Sequence, residues 1–251
     1  MLPAKKIYKK IRGHGQRALE RLDHFSKHAD PEDLHQLRVE IKKTKALLKF
    51  YLRPKKAFNE LFAPVRKLFK EAGELRTIQL TLELMDNYAI ENTRMEDKLN
   101  KQLLYVNLNF CKHIEKKRKS ASRSIKRFDA YLKPVKKSSI HRRIHKKKDE
   151  IEACLRTSKT DLSSLHDCRK KMKILMYVLN GLKPGYAKKA FIDIKKLDKL
   201  QDLIGKWHDL QLAHDFLKKS RTSIPANLTT EEKKVLNKII SLTENPASFS
   251  T

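Results

Sequence analysis

The sequence predicts an all-α fold built from two similar halves, and three observations carry that prediction. Apolar residues recur at helical spacing along nearly the whole chain. Turn chemistry is scarce, with 6 Gly and 8 Pro in 251 residues, which favours long helices over many short strands. A helical motif that begins at Leu34 returns at Leu165. Apolar residues make up only 39% of the chain and charged ones 35%, yet the apolar ones are periodic rather than scattered, which excludes a disordered chain. The 58 Lys and Arg against 29 Asp and Glu leave a net charge of +29. The expected partner is therefore a polyanion: nucleic acid, an anionic membrane or a polyphosphate-like polymer.

In chain order, residues 4–28 place Ile7, Ile11, Ala18, Leu22 and Phe25 at helical spacing, with Gly13 and Gly15 weakening the middle. Asp30-Pro31-Glu32-Asp33 supplies an N-cap, a proline at the first helical position and first-turn acids. A second helix thus starts near residue 31 and stops before Pro54. Residues 55–91 are helical again, with Phe58, Leu61, Phe62, Val65, Leu68 and Phe69 apolar and Gly73 marking a kink or a close helix contact. A cap at Asn92 opens a long, increasingly basic helix over residues 94–132 that ends near Pro134. The second half repeats the plan, with a helix over 138–157 whose apolar residues are Ile140, Ile144, Ile151 and Leu155. Asp161 or Ser163 caps a helix over 163–182, a long helix over 187–219 is interrupted at Gly205, and Thr229-Thr230-Glu231-Glu232 opens a short last one. The two halves fall at residues 4–133 and 134–245.

Cys111, Cys154 and Cys168 form no CxxC pair, and each lies in an apolar helical pattern. All three are expected as reduced, buried thiols, which suits a cytoplasmic compartment. The cations at the N-terminus are followed by no apolar h-region, and no apolar run is long enough to span a bilayer, so neither a signal peptide nor a membrane span is expected.

The motif helix carries two stripes. Leu34, Leu37, Ile41, Leu48 and Leu52 share one, and His35, Arg38, Lys42, Lys45 and Lys49 share a second about a quarter turn away. A shift of 131 places Leu34-His35-x-x-Arg38 on Leu165-His166-x-x-Arg169 and Lys42 on Lys173. The second copy has its own apolar stripe of Leu165, Cys168, Met172, Leu175 and Leu179. A shift of 132 places Gly73-Glu74-Leu75-Arg76 on Gly205-Lys206-Trp207-His208, and two landmarks at nearly one offset point to an internal duplication. For the first helices a shift of 131 pairs Arg12-Gly13-His14 with Arg143-Ile144-His145, whereas a shift of 133 pairs Ile7 and Ile11 with Ile140 and Ile144. The apolar register is preferred, because burial fixes the rotation of a helix.

These paired Leu-His-x-x-Arg-x-x-x-Lys helices, each followed by a glycine-containing helix, resemble the CHAD domain, the conserved histidine α-helical domain. The resemblance runs from about residue 5 to 243 and includes Leu200-Gln201-Asp202-Leu203-Ile204-Gly205. It implies two four-helix bundles related by a pseudo-twofold, with basic residues lining a central cavity or pore. It also implies binding of inorganic polyphosphate, often beside a triphosphate-processing tunnel domain. No acidic, strand-rich companion of that kind accompanies this sequence, so a stand-alone binder is expected, associated with polyphosphate granules. Two departures stand out. The Arg-Asp pair usual after the glycine is Arg76-Thr77 in one half and His208-Asp209 in the other, and Met176 takes the place that matches Lys45.

The candidate polyphosphate contacts are thus His35, Arg38, Lys42, Lys45 and Lys49, with His166, Arg169, Lys170 and Lys173 in the second copy. Arg12, His145, Arg76 and His208 complete the set. Arg forks two phosphate oxygens, Lys acts as a compact point charge, and a nearby polyanion favours the protonated form of His. No cofactor and no metal are expected: His24/His28 and His141/His145 have i, i+4 spacing, but each pair lacks a third ligand and reads as a surface pair. Neither a phosphate-binding glycine loop nor a nucleophile elbow is present, so no enzymatic activity is expected, and His208-Asp209 and His214-Asp215 are assigned to contacts across the bundle. Nucleic acid is the alternative ligand, because residues 116–119, Arg123, Lys126-Arg127 and residues 133–148 form further basic runs. The scarcity of aromatics argues against base stacking, and no segment suits a membrane surface.

Overall fold

Asp30 shows how this sequence divides itself into helices. Its carboxylate accepts the Glu32 N–H at 2.9 Å while Pro31 occupies the first helical position, so the chain turns from one long helix straight into the next. Ala29 takes the left-handed conformation (φ 52°) between them, at a cost of about 1 kcal/mol for a residue with a Cβ. In the computed structural model, which describes residues 4–52, 55–88, 90, 92–132, 135–158, 161–182, 185–219 and 224–244, the described residues form ten helices and one 3-10 turn, and no strand.

The chain divides into two compact units, Met1–Val135 and Lys136–Thr251. Unit 1 holds α1 (Ala4–His28), α2 (Pro31–Tyr51), α3 (Lys55–Asn87), α4 (Thr93–Lys112) and α5 (Ile114–Tyr131). In it α2, the first motif helix, lies between α1 and α3, and α5 closes against α1 and α3. Unit 2 holds α6 (Lys137–Ser158), the 3-10 turn Leu162–Ser164, α7 (Leu165–Gly181), α8 (Gly185–Lys189), α9 (Ile194–Lys219) and α10 (Ala226–Thr243). Here α7, the second motif helix, lies between α6 and α9, and α10 packs on α9.

Burial follows the apolar stripes. Leu34, Leu37, Ile41, Leu48 and Leu52 are all buried in unit 1, as are Leu165, Cys168, Met172, Leu175 and Leu179 in unit 2. Ile7, Ile11, Ile140 and Ile144 are buried too, the four residues that the shift of 133 superimposes. The face of α2 turned to α1 carries a charged cluster instead. Glu40, with only 8% of its side chain exposed, lies 2.7 Å from His14 Nδ1, 3.0 Å from Arg17 Nε and 2.6 Å from Lys43 Nζ.

Four expectations need correction. The helix expected over 94–132 breaks at His113, which has φ −124° and ψ 24°; no glycine or proline marks the break, so periodicity alone ran through it. Gly73 does not interrupt α3, which is continuous from Lys55 to Asn87 even across Pro64; of its two readings the close helix contact stands, with Arg38 of α2 packed against it. The long helix expected over 187–219 is interrupted at residues 190–193, where Phe191 has φ 51°, rather than at Gly205. The cysteines are not three free thiols: Cys154 and Cys168 form a disulfide and only Cys111 is free. The short turn between α6 and α7 makes them neighbours, with Cα atoms 5.6 Å apart, inside the range a disulfide spans. The cysteine pattern therefore carries no argument for a reducing compartment. Alkylation of the denatured chain without reductant is expected to give one adduct, on Cys111; three adducts by mass spectrometry would contradict the pairing.

Candidate polyanion-binding site

The polar stripe of α2 is anchored by one arginine laid across the neighbouring helix. Arg38 Nη1 donates to the Phe69 carbonyl of α3 at 2.8 Å, and the guanidinium lies 4.3 Å from the centre of the Phe69 ring. It passes so close to Gly73 that a Cβ there would stand 2.4 Å from Nη1. Glycine at position 73 is thus a seat for the arginine. Burial and the charge of Arg76 both lower the Arg38 pKa from its usual value. Arg76 in turn is held by Glu83, with N–O distances of 2.7 and 3.3 Å, and keeps an unpartnered, buried Nε. Two turns along α2, Lys45 has its pKa lowered by burial and by Lys49 and Arg66, and Lys49 sits 5.6 Å from the Phe58 ring centre. Cations that depress one another in this way mark a region short of counter-charge.

Unit 2 repeats the seat. Arg169 Nε donates to the Gln201 carbonyl at 3.2 Å, four residues before Gly205 just as Phe69 is four before Gly73. A Cβ at Gly205 would stand 2.6 Å from Nη2 and 2.7 Å from Nε of this arginine. The surroundings differ. His166 and His208 bring their rings to 4.2 Å between centres, and His166 Nδ1 is buried with no hydrogen-bond partner. Burial lowers both pKa values, each histidine feels the charges of Arg169 and Lys170, and His166 is further lowered by His208, while Asp209 pulls His208 the other way. Lys173 is lowered by burial and Arg169, against the pull of Asp202, Asp198 and Asp209. Lys170 is ion-paired with Asp167 at 3.1 Å.

A family model described as the CHAD domain matches residues 11–218. The chain belongs to the CHAD domain family. The crystal structure of the CHAD domain from the plant Ricinus communis shares the fold, with a TM-score of 0.57 at 18% sequence identity over 96% of this chain and 91% of that one. A search of curated proteins finds no match.

Within this CHAD domain the structure brings together Arg38, Arg76, Lys45 and Lys49 in unit 1, and His166, Arg169, Lys170, Lys173 and His208 in unit 2. His35 lies half-buried on α2 and Lys42 exposed one turn beyond Arg38. Arg12 and His145 are exposed on α1 and α6, and among the described residues no contact ties them to either stripe. Sequence reasoning missed Arg66, Asp198 and Asp202; the shift of 132 that aligns the glycines would have found them, since it also places Arg66 on Asp198. The basic run 116–119 is partly structural: Lys117 pairs with Glu71 at 3.0 Å and Arg118 with Asp23 at 2.8 Å. His214 bonds across to α10, 2.6 Å from Glu232, while His208 packs on His166 instead. Among the described residues no helix is long and apolar enough to cross a membrane, and no group of three metal-ligating side chains comes together. A groove of about 520 Å³ runs between α3 and the α4–α5 break, lined by Lys67, Leu68, Glu71, Glu74 and Phe110. At about 100° per residue these α3 positions face away from Phe69, Gly73 and Arg76, so the groove is separate from the arginine seat.

Proposed function

We propose that this CHAD domain binds inorganic polyphosphate and does so without catalysis. One observation carries the reading: in each unit a motif arginine is laid across a facing glycine with part of its fork committed to a backbone carbonyl, and further cations follow it along the same helix, Lys42, Lys45 and Lys49 in unit 1 and Lys173 in unit 2. A fixed guanidinium has lost its conformational freedom before the ligand arrives and keeps its remaining N–H groups for phosphate oxygens. Cations repeated at each helical turn suit a ligand that repeats its charge, and each phosphate neutralised releases condensed counterions. The aromatics at the site favour this ligand over single-stranded nucleic acid. Phe58 and Phe69 lie under Lys49 and Arg38, and Trp207 is 7% exposed, so none offers a free face for a base.

Competition at fixed ionic strength tests the proposal. Long-chain polyphosphate is expected to displace a labelled DNA duplex from the protein at a lower phosphate concentration than DNA displaces labelled polyphosphate. The reverse order would assign the basic surface to nucleic acid.

A further inference from the structure

We infer that the two arginine seats are unequal, with unit 1 holding the polyanion at any physiological pH and unit 2 joining only when His166 and His208 take up protons. This rests on the polyphosphate reading and adds a regulation to it. The charges differ at matched positions. The shift of 132 that places Gly73 on Gly205 places Arg66 on Asp198, Lys70 on Asp202, Arg76 on His208 and Thr77 on Asp209. Three of those carboxylates act on Lys173 in unit 2, whereas the charges that act on Lys45 in unit 1 are Lys49 and Arg66. On the motif helices, Lys45 and Lys49 correspond to Met176 and Asn180. With neutral imidazoles, Lys173 faces Asp198, Asp202 and Asp209, Arg169 faces Asp209, and Lys170 is occupied by Asp167; that surface has no excess of positive charge. Two protons on the histidines make it cationic.

The geometry suits a proton-linked event. The rings stand 4.2 Å apart, and His166 Nδ1 is buried without a partner, so it has a site for a proton or an acceptor that the protein itself does not fill. The charged groups facing the pair are Asp167, Arg169 and Lys170 on α7 and Asp209 on α9. α6 meets α7 through the Cys154–Cys168 pair, the 3-10 turn brings no charged residue of its own, and the α10 acids Glu231 and Glu232 are taken by Lys206 and His214. In the free protein burial opposes protonation most, followed by the cations and, for His166, the neighbouring ring. A polyanion laid on Arg169 cancels the cations and favours both imidazolium ions. Binding at unit 2 then strengthens as pH falls through the bound-state pKa values, and the gain is complete below the free-state values.

Calorimetry with long-chain polyphosphate in buffers of different ionisation enthalpy reads the protons directly. At pH 6.5 the wild-type chain is expected to take up at least about one proton more per chain than H166Q/H208Q. In an R38A/K45A background, which weakens unit 1, affinity is expected to rise about tenfold or more from pH 7.5 to 5.5, and H208R, which installs the unit 1 residue, is expected to flatten that rise. Equal proton uptake by wild type and H166Q/H208Q, with binding intact, would overturn the inference. An absence of polyphosphate binding at every pH would instead overturn the function proposed above. NMR titration of the imidazole protons with and without polyphosphate gives the same answer if a variant fails to fold.

Discussion

Replacing Arg38 and Arg169 together by alanine is expected to weaken polyphosphate binding about a hundredfold or more at pH 6. In the proposed complex each guanidinium would make charge-assisted hydrogen bonds to phosphate worth about 1.5–3 kcal/mol, and two such losses correspond to a hundredfold or more. At pH 7.5 the single R38A change is expected to cost more than R169A, because the charges that act on Lys45 are the cations Lys49 and Arg66, whereas Lys173 is faced by Asp198, Asp202 and Asp209. The glycines offer a subtler test of the same seat. G73A or G205A brings a methyl group into a guanidinium end that can swing aside, so the backbone is not forced to move. Alanine adds about 0.8–1 kcal/mol of helix propensity, and the arginine loses a bond to Phe69 or Gln201 worth about 1 kcal/mol, so urea midpoints are expected to stay close to wild type. Affinity, in contrast, is expected to fall about tenfold in G73A, because the fork is no longer pre-positioned. An unchanged dissociation constant in G73A would show that Arg38 meets the ligand from somewhere other than its seat.

The sequence made the helices and their buried faces legible because both depend on local periodicity. The stripes of α2 and α7 came from spacing alone, and so did the rotation of α1 and α6, where the isoleucine register proved the better guide to what is buried. The CHAD membership was likewise readable, since the motif repeats at a nearly constant offset. What the sequence hid depends on contacts between helices. That Gly73 and Gly205 make room for Arg38 and Arg169 needs the crossing of α2 on α3 and α7 on α9. The break at His113 has no glycine or proline to announce it, and the Cys154–Cys168 pair needs the α6–α7 turn. Arg12 and His145 show the opposite failure, a shared three-letter pattern that leads to two exposed and unrelated positions.

Glu40 separates charge that serves the fold from charge that serves the ligand, and its replacement is the second large effect expected. Its side chain is buried between α1 and α2, and burial alone would raise its pKa; the hydrogen bonds from His14 and Lys43 outweigh that and hold it at about 2 against an ordinary 4.5. A carboxylate with a depressed folded-state pKa stabilises above its unfolded value and loses that contribution as pH falls toward the folded one. Glu40 therefore contributes about 3 kcal/mol that is present above pH 4.5 and lost progressively down to pH 2. E40Q keeps the shape but leaves His14, Arg17 and Lys43 facing an amide, so unfolding in urea at pH 7 is expected to be easier by about 3 kcal/mol, with a flatter acid limb. Identical acid limbs for E40Q and wild type would rule out this role. Polyphosphate affinity is expected to survive the change. Two residues along a helix turn by about 200°, so Glu40 points away from Arg38 toward α1, while the arginine lies on α3. An acid on the motif helix of so basic a chain is tolerated because the helix body separates it from the stripe, and its partners His14, Arg17 and Lys43 lie with it on the α1 side.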